Sequence, residues 1–295
     1  MEYIIETKNL LKRYGAKVAV NNVSLHVKKG EIYGLIGKNG AGKTTLMKLL
    51  LGLANPNSGE ISLFGSNTPN EKRRKIGSLI EEPALYKGET ALENLRRFAI
   101  LVPTPEEELH RLLELVGLAD VGDKKAGRFS LGMRQRLGLA IAMLGDPEIL
   151  ILDEPINGLD PAGIKEIRDI ILELNQKGVT FLISSHLLDE LGRIATKFGI
   201  MTDGILAEEI SAKELKEKCR AFLKVTVSDS QKAQQALLAW RSDLKTEISG
   251  NEVHITSRVE DTSEIVITLV NAGVRVYEMR NESIELEDFF IERLG

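Results

Sequence analysis

The sequence contains very little cysteine: Cys219 is the single one among 295 residues. One cysteine cannot form an intramolecular disulfide, and this usage is typical of a reducing compartment. Long apolar runs are also missing, since no stretch approaches the roughly 18 uninterrupted apolar residues that span a bilayer. The N-terminus has no apolar run of the kind found in signal peptides. We therefore expect a cytosolic chain, unless a partner holds it at a membrane.

The chain also has no excess of positive charge. Its formal net charge is −4, so it presents no overall basic field for nucleic acid. The one dense basic run covers residues 72–75. A solvated surface turn is the favoured interpretation of this run, and a site for an anionic partner is the alternative. No nucleic-acid partner is expected.

Length and apolar pattern predict an α/β protein of about two domains. Short apolar strands mix with helical patterns over residues 1–210, as in an α/β domain. The pattern is wholly helical over about residues 85–145, which predicts a helical subdomain inserted into the α/β core. The predicted strands are residues 3–6, 23–27, 32–36, 59–63, 76–80, 149–152, 180–184 and 198–202.

Helix boundaries in the inserted region have recognisable signals. Residues 90–93 and 104–107 have the spacing of a capping box, and Pro105 lies where a first helical residue tolerates proline. An apolar stripe follows and ends at Gly117. The stripe is formed by Leu109, Leu112, Leu113 and Val116.

The pattern changes again from residue 211. A charged helix over residues 211–220 is predicted to be a linker, and residues 221–295 are predicted to form a small α/β accessory domain without a chemical motif. Its predicted elements are strands at 221–227, 253–256 and 274–279, helices at 231–240 and 262–271, and a last helix from Ile284.

Residues 37–45 form a glycine-rich loop that matches G-x-x-x-x-G-K-[ST]. Glycines let consecutive backbone N–H groups curl around a polyphosphate. Lys43 is placed to neutralise the β and γ phosphates, and the Thr44 hydroxyl to ligate Mg²⁺. The predicted phosphate-binding residues are Gly37, Lys38, Asn39, Gly40, Ala41, Gly42, Lys43, Thr44 and Thr45.

The surroundings of this loop support a phosphate site. An apolar strand at 32–36 precedes it, and a helical pattern at 45–53 follows it, with Gly52 available to end the helix. Strand, loop and helix N-terminus together aim amides and a positive dipole end at an anion. The alternative interpretation is a glycine-rich turn without a ligand.

A second apolar strand, residues 149–152, ends in two carboxylates, Asp153 and Glu154. In isolation this could be a strand that emerges into water. Downstream of a phosphate loop, Asp153 is placed to hold the Mg²⁺ of a bound nucleotide, the Walker B arrangement. Glu154 then lies where a carboxylate can polarise the attacking water.

Taken in order, these motifs resemble those of an ATP-binding subunit of an ABC transporter, over residues 3–210. Residues 129–133, Phe-Ser-Leu-Gly-Met, are similar to the family's LSGGQ signature. In the family, the signature of one subunit closes over the γ-phosphate held by the phosphate loop of the other. The resemblance therefore assigns nucleotide contacts to Ser130, Gly132 and Met133, and implies a second copy of an ATP-binding subunit.

The resemblance extends to three further positions. Asp160 lies in a segment similar to the D-loop, which crosses the dimer interface in the family. His186 matches the switch histidine that hydrogen-bonds the γ-phosphate, and Tyr14 lies where the family keeps an aromatic that stacks on adenine. The implied ligands are ATP and Mg²⁺, and the implied catalytic residues are Glu154, His186 and Lys43.

Two departures from the family pattern are visible. Glu81 replaces the glutamine of the Q-loop, and a carboxylate there can still ligate Mg²⁺ while adding negative charge near the phosphates. Whether Glu81 or Glu82 faces the metal stays open. The signature has Leu131 and Met133 where glycine and glutamine are common in the family, which reduces its polar contacts.

These departures, with the accessory C-terminal unit, resemble the bacitracin and lantibiotic resistance branch of ABC exporters. The implied function is an ATPase at the cytoplasmic face of the membrane. It would power a separate permease, which would dock at residues 81–86 and export an antimicrobial peptide. One alternative is a soluble ABC ATPase acting on DNA or ribosomes, and another is a regulatory module without turnover. Soluble ABC ATPases usually carry coiled-coil arms or zinc sites, and neither is visible in this sequence. The regulatory module is disfavoured because the catalytic residues are intact, namely Lys43, Asp153, Glu154 and His186.

Overall fold

The computed structural model describes residues 3–67, 69–219, 222–257, 262–282 and 289–290. The helix predicted from Ile284 begins outside these residues. The chain forms two compact units. The first unit contains the residues up to Ala212 and also Phe290, and the second unit lies within Lys213–Phe289. Among the described residues, no helix combines the length and apolar character needed to cross a membrane.

The first unit has mixed α/β structure. Its strands are β1 (Tyr3–Tyr14), β2 (Lys17–Val23), β3 (His26–Lys28), β4 (Ile32–Ile36), β5 (Ser58–Leu63), β6 (Ile76–Leu79), β7 (Ile149–Asp153), β8 (Thr180–Ser185), β9 (Lys197–Thr202) and β10 (Ile205–Ser211). Its helices are α1 (Lys43–Leu51), α2 (Pro69–Lys72), α3 (Ala91–Ala99), α4 (Glu106–Leu115), α5 (Leu131–Ala142), α6 (Pro161–Gln176) and α7 (Leu188–Gly192). A further helix, α8 (Ala212–Lys218), begins at the unit boundary.

The main sheet of this unit has six strands in the order β10-β9-β4-β8-β7-β6. Its strands are parallel except β10, which pairs antiparallel with β9. All residues of β4, β7 and β8 are buried, which explains why these strands are continuous apolar runs in the sequence. Because parallel strands end at the same edge, the loops after β4, β7 and β8 meet there.

A second, antiparallel sheet has β1 at its centre, paired with β2, β3 and β5. One apolar cluster joins this sheet to the six-stranded sheet and to α1, and includes Ile5 of β1, Leu46 of α1 and Ile151 of β7. The helix that carries the phosphate loop is therefore fixed from two sides. The helix ends at Leu51, two residues before the end of the predicted helical pattern at residue 53, and Gly52 is its C-cap.

The prediction of one strand over residues 23–27 is wrong. β2 ends at Val23 and β3 begins at His26, and the two strands pair with different parts of β1. Between them the Thr7 hydroxyl donates to the Val23 carbonyl (3.0 Å) and accepts from the Leu25 N–H (2.9 Å). A buried side chain thus takes over two backbone hydrogen bonds where the chain crosses from one partner segment to the next.

The helical region 85–145 contains α3, α4 and α5. The capping box at residues 90–93 is confirmed, because Thr90 and Glu93 exchange side-chain and backbone hydrogen bonds at 3.2 and 2.6 Å. The capping box at residues 104–107 is wrong. Pro105 is the N-cap of α4 without a side-chain cap, and the Thr104 hydroxyl donates to the Val102 carbonyl instead. The predicted apolar stripe of α4 is buried.

In the part of the chain that the structure describes, the second unit contains a four-stranded antiparallel sheet and the helices α9 and α10 in addition to most of α8. Its elements are β11 (Phe222–Val227), α9 (Ser230–Trp240), β12 (Thr246–Ser249), β13 (Glu252–Ile255), α10 (Thr262–Asn271) and β14 (Val276–Glu282). The strand order is β12-β13-β11-β14. Alternate residues of β11 and β13, such as Val225 and Val253, pack in one core with Leu237 of α9 and Leu269 of α10.

Candidate functional site

The phosphate loop connects the carboxyl end of β4 to the N-terminus of α1. Gly42 has φ of +105°, and a Cβ at this position would lie 2.2 Å from the Ala19 carbonyl oxygen, so only glycine fits. Lys43 is 6% exposed, and its ammonium donates to the Gly37 carbonyl at 2.6 Å. The loop therefore holds a positive charge inside its own curve.

A cavity of about 210 Å³ lies over this loop. It is lined by Lys17, Ala19, Asn39, Gly40, Ala41, Gly42, Lys43, Thr44, Thr45, Asp153 and Glu154. Gly37 and Lys38 are outside the lining. Tyr14 is also outside the lining. It is 51% exposed and is the register partner of Lys17 in the β1–β2 hairpin. The Lys12 ammonium lies 4.9 Å from the centroid of its ring.

Asp153, at the end of β7, is 3% exposed and accepts two short hydrogen bonds. The Thr44 hydroxyl donates to Oδ2 at 2.6 Å, and the Ser184 hydroxyl donates to Oδ1 at 2.5 Å. The structure thus brings the predicted Thr44 and Asp153 together. Ser184 was not among the predicted site residues. Its signal is a hydroxyl at the end of the strand next to β7, since Asp153 and Ser184 are register partners.

Glu154 is held from three directions. Its backbone, with φ of +51°, donates from N–H to the Ser184 hydroxyl at 2.9 Å. His186 Nδ1 lies 2.8 Å from Oε2 of Glu154, and the His186 N–H donates to the same oxygen at 3.3 Å. Lys43 Nζ lies 3.4 Å from Oε1, an ion-pair contact longer than a good hydrogen bond. Oε1 is buried and has no hydrogen-bond partner among the described residues.

These features fit a magnesium-nucleotide complex. At the cavity, Gly42 occupies a position where a Cβ would collide with backbone, and the Lys43 ammonium is buried. Glu154 Oε1 accepts no hydrogen bond from the described residues. Across the described residues, no three His, Cys, Asp or Glu side chains form a ready-made metal cluster. That is the expected case for Mg²⁺, which proteins bind through one or two side-chain oxygens plus substrate phosphates.

Glu81 follows β6 and has a left-handed backbone, with φ of +63°. Its carboxylate is 66% exposed and pairs with the ammonium of Lys48 on α1 at 2.7 Å. The hydrogen bond that Lys48 donates to Glu81 raises the pKa of Lys48, and the charge of Asp153 contributes in the same direction. In this structure the carboxylate of Glu81 therefore contacts Lys48, whereas Thr44 and Asp153 contact each other.

A separate cavity of about 340 Å³ lies at the N-termini of α5 and α6. The Ser130 hydroxyl caps α5 by accepting from the Met133 N–H at 3.2 Å, and Asp160 caps α6 by accepting from the Gly163 N–H at 3.1 Å. The lining is Ser130, Leu131, Gly132, Met133, Arg136, Gly158, Leu159, Asp160, Ala162, Gly163 and Glu166. None of these residues lines the cavity over the phosphate loop.

Comparisons with known proteins agree with this geometry. The family model described as ABC transporter matches residues 20–157. The bacitracin transport ATP-binding protein BcrA of Enterococcus faecalis is 41% identical over 300 residues, which covers 100% of this chain and 97% of that relative. This chain belongs to the ABC transporter family. The predicted family and the predicted ATP-binding, ATP-hydrolysing subunit are confirmed.

Two further relatives of this ABC transporter ATPase cover less of it. The lantibiotic transport ATP-binding protein SrtF of Streptococcus pyogenes is 44% identical over 213 residues, which is 72% of this chain and 93% of that relative. A solved dimeric bacterial ABC transporter cassette is 25% identical with a TM-score of 0.65, and it covers 70% of this chain and 98% of its own. The predicted α/β P-loop fold of ABC type is thereby confirmed.

Proposed function

We propose that this chain hydrolyses Mg·ATP to drive a separate membrane permease that exports an antimicrobial peptide. The observation that carries the ATPase part is the position of Glu154, which lies between Lys43 and His186 with one oxygen free of hydrogen bonds. The cargo is supported by relatives. The similarity to a bacitracin transport protein extends over the whole chain, and that to a lantibiotic transport protein over 72% of it.

The chain's own residues divide the chemistry. Lys43 binds the β and γ phosphates of ATP, exchanging its contacts with the Gly37 carbonyl and Glu154 for phosphate oxygens. Glu154 is then free to accept a proton from the attacking water. His186 orients that carboxylate through Oε2 and binds the γ-phosphate. Thr44 and Asp153 would hold Mg²⁺, which would neutralise phosphate charge when bound.

A second copy of the chain completes each site in this proposal. One chain carries the phosphate loop in one cavity and Ser130, at the N-terminus of α5, in another. A helix N-terminus is a ready binding place for a phosphate. Two copies arranged with the α5 N-terminus of one over the phosphate loop of the other enclose two nucleotides, with Tyr14 beside the adenine. Tyr14 would bring its exposed ring to the base.

The ATPase part is tested by Glu154→Gln, which keeps the size of the side chain and removes the base. We expect a fall in turnover of about 10²–10⁴-fold, with binding of a fluorescent ATP analogue retained. Glu173→Gln on α6 is the control, because Glu173 is an exposed carboxylate that pairs with Lys177. Turnover of the Glu154→Gln variant at the wild-type rate would show that the assigned base is wrong.

The cargo part is tested in cells and with purified protein. The chain should co-purify with a membrane protein encoded by a neighbouring gene. Deletion of the gene for this chain should raise the sensitivity of the cells to bacitracin or to a lantibiotic. Complementation with wild type should restore resistance, and complementation with Glu154→Gln should not. If deletion changes sensitivity to neither class of peptide, the cargo assignment is wrong while the ATPase assignment stands.

A further inference from the structure

The residue at the Q-loop position of this chain, Glu81, has a partner on the phosphate-loop helix. Lys48 of α1 donates to the Glu81 carboxylate at 2.7 Å. The two residues are 33 positions apart, so the contact is created by the fold. A carboxamide at position 81 could not form an ion pair with Lys48, so this contact is specific to the glutamate.

Lys48 lies close to the residues that we assign to Mg²⁺. Thr44 and Lys48 are four residues apart on α1, which places them on one helix face with a rise of about 6 Å between them. Leu79 of β6 is the register partner of Leu152 of β7, so the chain reaches Glu81 at the same sheet edge where β7 reaches Asp153. Lys48, the ion-pair partner of Glu81, therefore lies about one helical turn from Thr44 along α1.

The backbone of Glu81 is itself in an uncommon state. Its φ of +63° places a residue with a Cβ in the left-handed region, and such residues are concentrated at switch and ligand-binding segments. The side chain is 66% exposed, and it forms an ion pair with the Lys48 ammonium. This ion pair holds the carboxylate at Lys48 in the observed position.

We propose that Lys48 is a positioning residue that holds the Glu81 carboxylate away from Thr44 and Asp153, and that binding of the magnesium nucleotide draws Glu81 off Lys48. This inference rests on the proposed function, since it assumes that Thr44 and Asp153 hold Mg²⁺. In this arrangement Lys48 competes with Mg²⁺ for one carboxylate. The strength of the Lys48 contact then sets the concentration of Mg²⁺ at which nucleotide binding is half-maximal.

The test is a magnesium titration of the full chain with a fluorescent, non-hydrolysable ATP analogue. Lys48→Met keeps a long helix-forming side chain and removes the charge. We expect the half-maximal Mg²⁺ concentration to fall about two- to fivefold, the range set by exposed ion pairs. In a Glu81→Gln background the same Lys48→Met change should leave it unaltered to within about 1.5-fold, because the competing carboxylate is gone.

Two controls separate this role from a general effect of charge. Lys48→Arg keeps the cation and should behave as wild type. Lys177→Met removes an equivalent 2.7 Å lysine–glutamate pair on α6 and should not change the Mg²⁺ dependence. An equal shift for Lys48→Met in both backgrounds, or no shift in either, would overturn the inference and leave the proposed function intact. Failure of the wild type to bind the magnesium nucleotide would overturn both.

Discussion

Ser184 contacts both acidic residues of the site through a single hydroxyl. It donates to Asp153 Oδ1 at 2.5 Å and accepts from the Glu154 N–H at 2.9 Å. Ser184 is fully buried, so loss of the hydroxyl removes the donor to Asp153 Oδ1 and leaves the Glu154 N–H with its longer 3.2 Å contact to the Ser184 carbonyl. Ser184 is therefore a positioning residue for the two residues that β7 delivers to the site.

We predict that Ser184→Ala lowers ATP turnover about tenfold and raises the Mg²⁺ concentration required for half-maximal turnover, because Asp153 and Glu154 lose their common support. The measurement is steady-state ATPase activity against Mg²⁺ and ATP. Ser185→Ala is the matched control, since the buried Ser185 hydroxyl accepts from the Leu187 N–H instead. Equal effects of the two variants would contradict the assignment.

Gly77 of β6 marks a close approach of backbone to backbone. A Cβ at Gly77 would lie 1.8 Å from the Ala142 carbonyl oxygen at the end of α5. We predict that Gly77→Ala destabilises the protein by about 2–4 kcal/mol, because β6 and α5 must separate. Gly88→Ala, where a Cβ meets open space, is the control. Denaturant unfolding of both variants tests this, and a difference below about 1 kcal/mol would contradict it.

Local spacing explains which site residues the sequence could predict. Lys43 and Thr44 begin the helix after the loop that follows β4, and Asp153 ends β7, so the order of residues fixes their place at the sheet edge. The roles of Ser184 and Lys48 depend on contacts with residues 31 and 33 positions away. Such contacts need the strand order and the position of α1, which apolar patterning does not give. Glu81 was singled out from the sequence, but its ion pair was not.

Among the secondary structure elements, β10 shows a signal that was missed. β9 and β10 are joined by Asp203 and Gly204, both with positive φ, as a two-residue hairpin turn requires. The Asp-Gly pair between two apolar segments is therefore a hairpin signal in the sequence. β10 also carries polar side chains at the sheet edge, including Glu208 and Glu209, which obscured its apolar pattern.

Glu209 of β10 ties together four strands. Tyr33 of β4 donates to its Oε1 at 2.9 Å, Lys197 of β9 lies 2.9 Å from the same oxygen, and His26 of β3 lies 2.8 Å from Oε2. Burial opposes the charge of Glu209, but the hydrogen bonds from His26, Lys197 and Tyr33 outweigh burial and lower its pKa. Burial raises the pKa of Tyr33, and the negative charge of Glu209 raises it further.

We predict that Glu209→Gln destabilises the first unit by about 1–3 kcal/mol at pH 7, because charge-assisted hydrogen bonds are lost. A lowered folded-state pKa means that the stabilisation is present above the unfolded value of 4.5 and is lost as pH falls through the folded value. The difference between wild type and variant should therefore shrink below about pH 4.5. Denaturant unfolding from pH 7 to pH 3 measures it; a difference independent of pH would contradict the role of the charge.

For the whole molecule, the two separate cavities predict dimerisation that depends on nucleotide. In the presence of Mg·ATP, the Glu154→Gln variant should elute from a sizing column as a dimer, and with ADP as a monomer. Adding Ser130→Asp should restore the monomer, because aspartate caps α5 as well as serine does but repels a phosphate. A dimer with unchanged ATP dependence in the double variant would contradict the place of Ser130 at the nucleotide.

Phe290 belongs to the first unit although it lies far along the sequence. Its ring is fully buried, 5.8 Å from the ring of Phe198 on β9. We predict that Phe290→Ala destabilises the first unit by about 3–5 kcal/mol, as for other buried aromatic truncations. Unfolding followed by binding of a fluorescent ATP analogue reports on this unit. Tyr277→Ala, at a residue 62% exposed, is the control and should change stability by less than about 0.5 kcal/mol.

The general architecture was accessible from the sequence because each half has a consistent pattern of strands and helices. The unit to which Phe290 belongs could not be predicted from the sequence. A single aromatic residue in a helical pattern does not indicate which core its ring will pack into. Contact between Phe198 and Phe290 depends on packing between residues that are 92 positions apart in the sequence. The apolar pattern of a short stretch of sequence cannot predict a contact between residues so far apart.

The return of Phe290 to the first unit also has a consequence for biosynthesis. A ribosome adds about 5–20 residues per second, so the segment from 213 to 290 takes about 4–16 s to appear after Ala212. During that interval the nascent ATP-binding unit lacks one of its buried aromatic rings, and the side of Phe198 that will receive it is open. Chaperones therefore have several seconds in which to recognise this unit before translation supplies Phe290.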